Sequence, residues 1–280
     1  MPPSPRTVST PAASPGPDTP ARVSAGDGAG GVRSARRALE IVSLLDESHP
    51  VLTTREVVER TELPRTTVLR LLDTLEQTGL LWAIASNHYV AGPSLLRWAT
   101  LAQRAWQLPA RTREAMCKLA EDTGETASIY VRQDVHRICI AAAEGNQALR
   151  HVARVGSQQP LWAGAPARIL LIGAPATLLK RVAALSPAGP AQLATLTRTR
   201  DDAARDGFAV THSDREDGLS VVAVPVYTPA GAVIASVSLA GPSPRFRDER
   251  IPGFCEGLRT VATLVQEARF ENGPGVASPD

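Results

Sequence analysis

The stretch Thr61–Thr78, TELPRTTVLRLLDTLEQT, constrains this chain more than any other. Val68, Leu71, Leu72 and Leu75 recur at helical spacing and form one apolar stripe, so the stretch reads as a helix resting on a core. Pro64 fits the first turn, where a missing N–H is tolerated, and Gly79 supplies a stop. Arg65, Thr66, Thr67 and Arg70 lie near the start and mostly off the stripe. In a helix-turn-helix the N-terminal residues of the second helix reach base edges, and reading a base requires side-chain donors there. A helix that is only packed structure with surface arginines shows the same pattern, so its neighbours decide the matter.

Upstream, Thr53-Thr54-Arg55-Glu56 has a hydroxyl three residues before a carboxylate, the capping-box spacing, and opens a short helix with Val57 and Val58 inward. Before it, Ser34 is placed to cap a longer helix whose inner face is Ala38, Ile41, Val42 and Leu45. Downstream, Leu80-Leu81-Trp82 and Tyr89-Val90 are strand-like runs around a polar turn at Ser86-Asn87-His88. Three helices and a β-ribbon in this order make a winged helix-turn-helix, expected over residues 32–92. Arg36, Arg37 and Arg55 sit at helix starts, where they are expected to meet phosphate oxygens without reading sequence. Arg65, Thr66, Thr67 and Arg70 are expected in the major groove. Asn87 and His88 occupy the wing tip, either touching DNA or serving the turn.

The remaining chain must hold something else, because 280 residues exceed one such domain. Residues 1–31 are rich in Pro, Ser, Ala and Gly and are expected to be a disordered tail, as are residues 272–280. Residues 93–109 carry Leu95, Leu96, Ala99, Leu101, Ala102 and Trp106, a helix apolar enough to need a partner. A second copy of the chain is favoured over the chain's own second domain, since readers of this kind pair to match two half-sites. From Ala110 to about 271 the reading gives helices at 111–120, 176–185 and 191–206 and one that starts slightly after Glu249. Strands are expected at 127–133, 136–144 and 148–155, and two more in LSVVAVPVYTPAGAVIASVSLAG around a Pro229–Gly231 turn. This is an α+β domain with a mostly antiparallel sheet, suited to sensing a small ligand.

Several classes are disfavoured. A net charge of +2 neither demands nor forbids DNA. No run approaches a membrane span, and the N-terminus has no secretory apolar region. Cys117, Cys139 and Cys255 are too far apart for a thiolate site, and the five histidines lack ligand spacing, so neither a metal nor another cofactor is expected. A reducing cytoplasm fits. No G-x-S-x-G or H-E-x-x-H is present, and no catalytic residue is expected. The alternatives are a hydrolase using Cys139 and a regulator whose second domain binds no small molecule.

From Val32 to about Phe270 the chain resembles the IclR family of bacterial transcriptional regulators. The resemblance rests on SARRALEIVSLL, LPRTTVLRLLDTLEQTGLL, HYVAGPSLL, PLWAGAPARILLIG and RDGFAVTHSDREDGLSVVAVPVYTPAGAVIASVSLAGP. It implies a winged helix-turn-helix joined by a linker helix to a GAF-like effector-binding domain. Double-stranded operator DNA, a small organic acid or aromatic effector, and a homodimer or tetramer are the implied partners. By position it implies an effector site at Trp162, Gly164, Ala165, Pro166, Thr211, Leu219, Val221, Ser238 and Ala240. Backbone N–H groups at the helix start near Gly164 would take the anion.

The chain also departs from that pattern. Thr211 stands where glyoxylate-type members have an acid, Val221 where they have Cys, and Ala240 where they have Ser. Pro166 has no N–H. Trp162 replaces a His, and Ala167-Arg168 replaces Gly-Lys. A larger or more apolar effector, such as an aromatic or branched-chain acid, is therefore expected, with Trp162 either stacking on it or sealing the core.

Overall fold

The computed structural model describes residues 28–46 and 49–268. The tails expected at the two ends lie outside these residues, apart from 28–31. The chain divides into two compact units at Thr100/Leu101.

In the first unit α1 spans Gly28–Val42, α2 Thr54–Thr61 and α3 Arg65–Gln77. The strands are β1 (Leu52–Thr53), β2 (Leu81–Ala85) and β3 (His88–Ala91), antiparallel in the order β1-β3-β2. α1 starts before Ser34 and within the expected tail. A serine's capping preference is worth only about 1 kcal/mol, and a continuing helix overrides it. The Thr53 capping box forms as its spacing predicts. Thr53 Oγ1 accepts from Glu56 N at 3.2 Å, and Glu56 Oε2 accepts from Thr53 N at 2.7 Å. Glu62, at φ 55°, ends α2 in the left-handed region and turns the chain into α3.

Pro64 sits one place earlier than expected, as the N-cap, where its carbonyl accepts from Thr67 and Val68. Gly79, at φ 70°, ends α3 in a Schellman motif, with Leu80 N on Leu75 O and Gly79 N on Glu76 O, both at 2.9 Å. The core is Ile41, Leu52, Val57, Val68, Leu72, Leu75 and Leu81. Each such side chain contributes roughly 1.5–3 kcal/mol by leaving water, which is what holds so short a helix as α2 in place.

α4 (Ser94–Ala105) follows, with no buried residue. Leu96 is 74% exposed and Trp98 58%.

The second unit contains α5 (Ala110–Thr123), β4 (Thr126–Gln133), β5 (His136–Ala143), β6 (Gln158–Pro160) and α6 (Ala165–Leu170). Then come α7 (Ala176–Ala184), α8 (Gln192–Asp206), β7 (Ala209–His212), β8 (Leu219–Tyr227), β9 (Val233–Pro242) and α9 (Ile251–Glu267). The sheet is antiparallel, ordered β6-β5-β4-β9-β8-β7. Pro252 and Gly253 fall inside the first turn of α9, where neither breaks a helical hydrogen bond.

Residues 148–155, expected as a strand, are not one. Gln158–Pro160 pairs with β5 at that edge instead, with Ile138 opposite Gln158. Leu149, Val152 and Val155 are consequently exposed, because alternation alone makes no strand without a free edge to pair with.

The two faces of the sheet differ in kind. Ala127, Ile129, Val222, Val224, Val237 and Leu239 pack with α5 and α9 in one core. On the opposite face the registers align Thr211, Val221 and Ala240 in one row, and Ala223, Ser238 and Ser128 in the next. These side chains are small, so the layer formed by α6 and its neighbours leaves space above them. The nearly unbroken apolar run of β8 follows from burial on both faces.

Candidate nucleic-acid interface and ligand cavity

Packing of Val68, Leu72 and Leu75 turns the other side of α3 outward. Arg65, Thr66 and Arg70 are exposed there, while Thr67 is half-buried at the edge of the stripe. Leu69, 39% exposed, stands among them. The sequence reading missed it, although its place off the stripe, beside Arg70, is visible in the spacing. An outward leucine next to guanidinium donors suits apolar contact with a thymine methyl.

Arg55 and Arg36 are also exposed, each beside a carboxylate one turn on: Glu59 at 2.8 Å and Glu40 at 3.5 Å. Solvent screens exposed pairs of this kind and leaves them weak, so both guanidinium groups remain free to exchange onto phosphate. Arg37 is half-buried. At the wing, Asn87 (φ 62°) serves the turn and the attachment of the wing. Its Oδ1 accepts from Thr54 Oγ1 at 3.2 Å and its carbonyl from Thr54 N at 3.1 Å. His88 is exposed, with Nδ1 2.9 Å from Ser86 O.

In the second unit a cavity of about 30 Å³ lies over the small-residue face. Gly164, Pro166, Thr211, Leu219, Val221, Ser238 and Ala240 line it, all among the expected site residues. Trp162 does not. It packs on the core of Leu161, Ala167 and Leu170. Ala165 is fully buried, with its side chain in a third cluster beside Ile169 and Ala223.

The backbone N–H groups at the start of α6 are already engaged. Gly164 N donates to Asp214 Oδ2 at 2.8 Å and Ala165 N to Thr211 Oγ1 at 3.2 Å. Asp214 also accepts from Arg168 Nη2 at 3.3 Å, and Arg168 Nη1 reaches Val210 O at 3.2 Å. Asp214, although it lies in the charged run Asp214–Asp217, is therefore a side-chain cap held between a helix start and an arginine.

The lining is more polar than the expected substitutions implied. Tyr130, Arg137, His151, Gln159, Asp214, Arg215 and Glu216 complete it. They come from β4, β5, the irregular segment before β6, β6 itself and the turn after β7, none of which the quoted site positions cover. Arg137 is the most constrained, at 3% exposed. Its Nη1 donates to Pro160 O at 2.6 Å and Ala163 O at 2.7 Å, and its Nη2 to Gln159 Oε1 at 2.7 Å. Its guanidinium lies 5.5 Å from the Tyr130 ring centroid. Burial lowers its pKa to about 10, with the nearby Tyr130 oxygen acting against that shift. Burial also raises the Tyr130 pKa and lowers that of His151, so both favour their neutral forms.

Cys139, next to this cluster, is fully buried and its thiol is pushed up to about 11 by burial. It donates to Ala141 O at 3.4 Å. A protonated, enclosed thiol is a poor nucleophile, which removes the physical basis of the hydrolase alternative. Among the described residues no cluster of His, Cys, Asp and Glu could hold a metal, and no helix is long and apolar enough to cross a membrane.

The comparisons agree with this geometry. The IclR helix-turn-helix domain matches residues 34–82 and the C-terminal domain of bacterial transcriptional regulator IclR matches residues 102–267. The HTH-type transcriptional regulator KipR of Bacillus subtilis is 27% identical over 222 residues, covering 77% of this chain and 89% of that protein. An IclR-family protein of Rhodococcus sp. has a crystal structure 37% identical, covering 90% of this chain and 97% of that one, with a TM-score of 0.57. An IclR homolog of Microbacterium hydrocarbonoxydans, solved with 4-hydroxybenzoate, shares the fold at a TM-score of 0.64 and 20% identity over 84% of this chain and 98% of its own. With a helix-turn-helix reader and an effector-type second unit both matched, the chain belongs to the IclR family of DNA-binding bacterial transcriptional regulators.

Proposed function

We propose that this regulator reads its operator with the outward start of α3 and is controlled by a small organic acid or aromatic metabolite held in the cavity of the second unit. Arg65, Thr66 and Arg70 contact base edges, with Thr67 at the margin. Arg36, Arg37, Arg55 and His88 meet the phosphate backbone, and Asn87 holds the wing in place. The observation that carries this reading is that packing of Val68, Leu72 and Leu75 leaves the donors of α3 exposed on one face. The unit boundaries that go with this reading are a winged domain at 32–92, a linker helix at 93–109 and an effector domain at 110–271.

The working form is a homodimer or a dimer of dimers, acting on DNA in the cytoplasm. Leu96, Trp98 and Leu101 on α4 are the surface offered to the partner. Effector binding acts through its different affinity for two arrangements of the dimer, which changes half-site spacing and so affinity. The ligand that the Microbacterium homolog was solved with supports a compact aromatic acid as a first probe.

The test is a gel-shift titration with the DNA beside the protein's own gene, against random competitor, with and without candidate acids. A competitor-resistant complex that a metabolite releases or tightens supports the reading. A complex that random DNA removes equally well at every salt concentration refutes it.

A further inference from the structure

We propose that Arg137 is the anion anchor of the cavity, and that the effector is a small monocarboxylate that pairs with its guanidinium. This rests on the effector reading above. The amides at the start of α6 cannot serve as they stand, because Asp214 and Thr211 occupy them and Pro166 has none. Of the two arginines that line the cavity, Arg137 has almost no solvent contact, whereas Arg215 keeps about a quarter of its side-chain surface in water.

Among the described residues the hydrogen-bond acceptors of Arg137 are neutral: two backbone carbonyls and the Gln159 amide. Among the described residues no carboxylate lies within ion-pair distance of it, and its Nε has no acceptor. Asp214, whose charge does act on it, is spent on Gly164 and Arg168. A buried guanidinium without a counter-charge is costly, and a carboxylate supplied from outside is what repairs it.

The surroundings fit a planar acid. Tyr130 lies against the guanidinium, and Leu219, Val221 and Ala240 give the apolar wall. Gly164, at φ 92°, leaves room beside Nη2, since a Cβ there would stand 3.1 Å from it. His151, neutral through burial, adds no competing charge. The cavity's 30 Å³ takes one or two waters, so an aromatic acid must displace Gln159 or the Asp214–Glu216 turn from its rim. That movement is how binding at Arg137 is transmitted outward.

The experiment is isothermal titration of the full chain with acids and their uncharged amides: benzoate and benzamide, 4-hydroxybenzoate and 4-hydroxybenzamide, pyruvate and pyruvamide. At least one acid binds, and its amide binds roughly 10- to 100-fold more weakly, the range for losing a charge-assisted hydrogen bond. Arg137→Gln brings the acid down to the level of its amide, and Arg137→Lys restores part of the difference. On wild-type protein the ¹⁵N–¹H signal of the Arg137 side-chain Nε, assigned by its absence from Arg137→Lys, moves on addition of the acid and not of the amide. This readout stands even if Arg137→Gln does not fold. An amide that binds as well as its acid, or an unmoved Nε signal with bound acid, overturns the anchor while leaving the effector cavity intact. If neither acids nor amides bind, the effector reading fails and the anchor with it.

Discussion

Replacing Arg245 by alanine should destabilise the second unit by about 3 kcal/mol, the low end of the range for breaking a buried ion pair. Glu125 has a side chain with no solvent exposure, and Arg245 grips it with both arms, Nε to Oε1 at 2.6 Å and Nη2 to Oε2 at 2.9 Å. Arg245→Ala leaves that carboxylate inside the protein without its counter-charge. The arginine side chain is itself 28% exposed, so water can follow into part of the space, which is why the low end applies. Gly241 lines the same slot: a Cβ there would lie 1.9 Å from Glu125 Oε2. Nη2 also donates to Leu149 O, so the segment that carries His151 to the cavity loosens as well.

For a unit of this size about 3 kcal/mol is roughly 6–12 °C in melting temperature. Hydrogen exchange of the β4 and β9 amides measures the loss within this unit, whatever the first unit does. The double variant Glu125→Gln/Arg245→Ala should recover about half, because an amide is far cheaper to bury than a carboxylate. A loss below about 1 kcal/mol for Arg245→Ala, or no recovery in the double variant, would show that the pair is screened like a surface bridge and would refute the reasoning.

Other outcomes follow from the same structure. Arg70→Ala should cost roughly 1–3 kcal/mol on the operator and relax preference at one base pair, whereas Arg36→Ala should weaken all sequences alike and lower the salt slope by about one; binding titrations on specific and random DNA separate the two, and equal losses for both variants dismiss the assignment. Gly79→Ala should destabilise the first unit, because φ is 70° and the added Cβ would lie 2.4 Å from Ser94 Oγ. Against a Ser94→Ala background, which already lacks the Ser94 Oγ bond to Thr78 O, Gly79→Ala should cost less, with a backbone penalty of about 1–2 kcal/mol remaining, read by urea denaturation. Burial lowers the folded pKa of His151 from 6.5, so its stabilisation is complete above that value and is lost as pH falls below it, where the unfolded chain takes up a proton that the folded one resists. The pH dependence of melting should therefore flatten in His151→Gln as pH falls below 6.5, and an unchanged profile would exclude the group.

The sequence by itself determined the reading head. The stripe of Val68, Leu71, Leu72 and Leu75, the Thr53–Glu56 box and Gly79 are local signals, and each acts over a few residues of helix or turn whose geometry is nearly fixed. The same holds for the helices of the second unit and for β8 and β9, where length and period leave little choice. The cavity-lining positions from Gly164 to Ala240 were accessible because they lie in the motifs that carry the family resemblance.

What only the tertiary structure decided depends on which edges and faces meet. Residues 148–155 alternate like a strand, but β5 gives its free edge to Gln158–Pro160. Trp162 goes to a core instead of the cavity, and Asp214 leaves an apparently solvated acidic run to cap α6 from fifty residues away. Arg137 reads in sequence as one more arginine on a strand. Its burial, its neutral acceptors and its unpaired Nε exist only because the sheet register and the Pro160–Gly164 turn close around it. Local pattern records how a segment folds, whereas burial and charge pairing are properties of what the finished fold brings together.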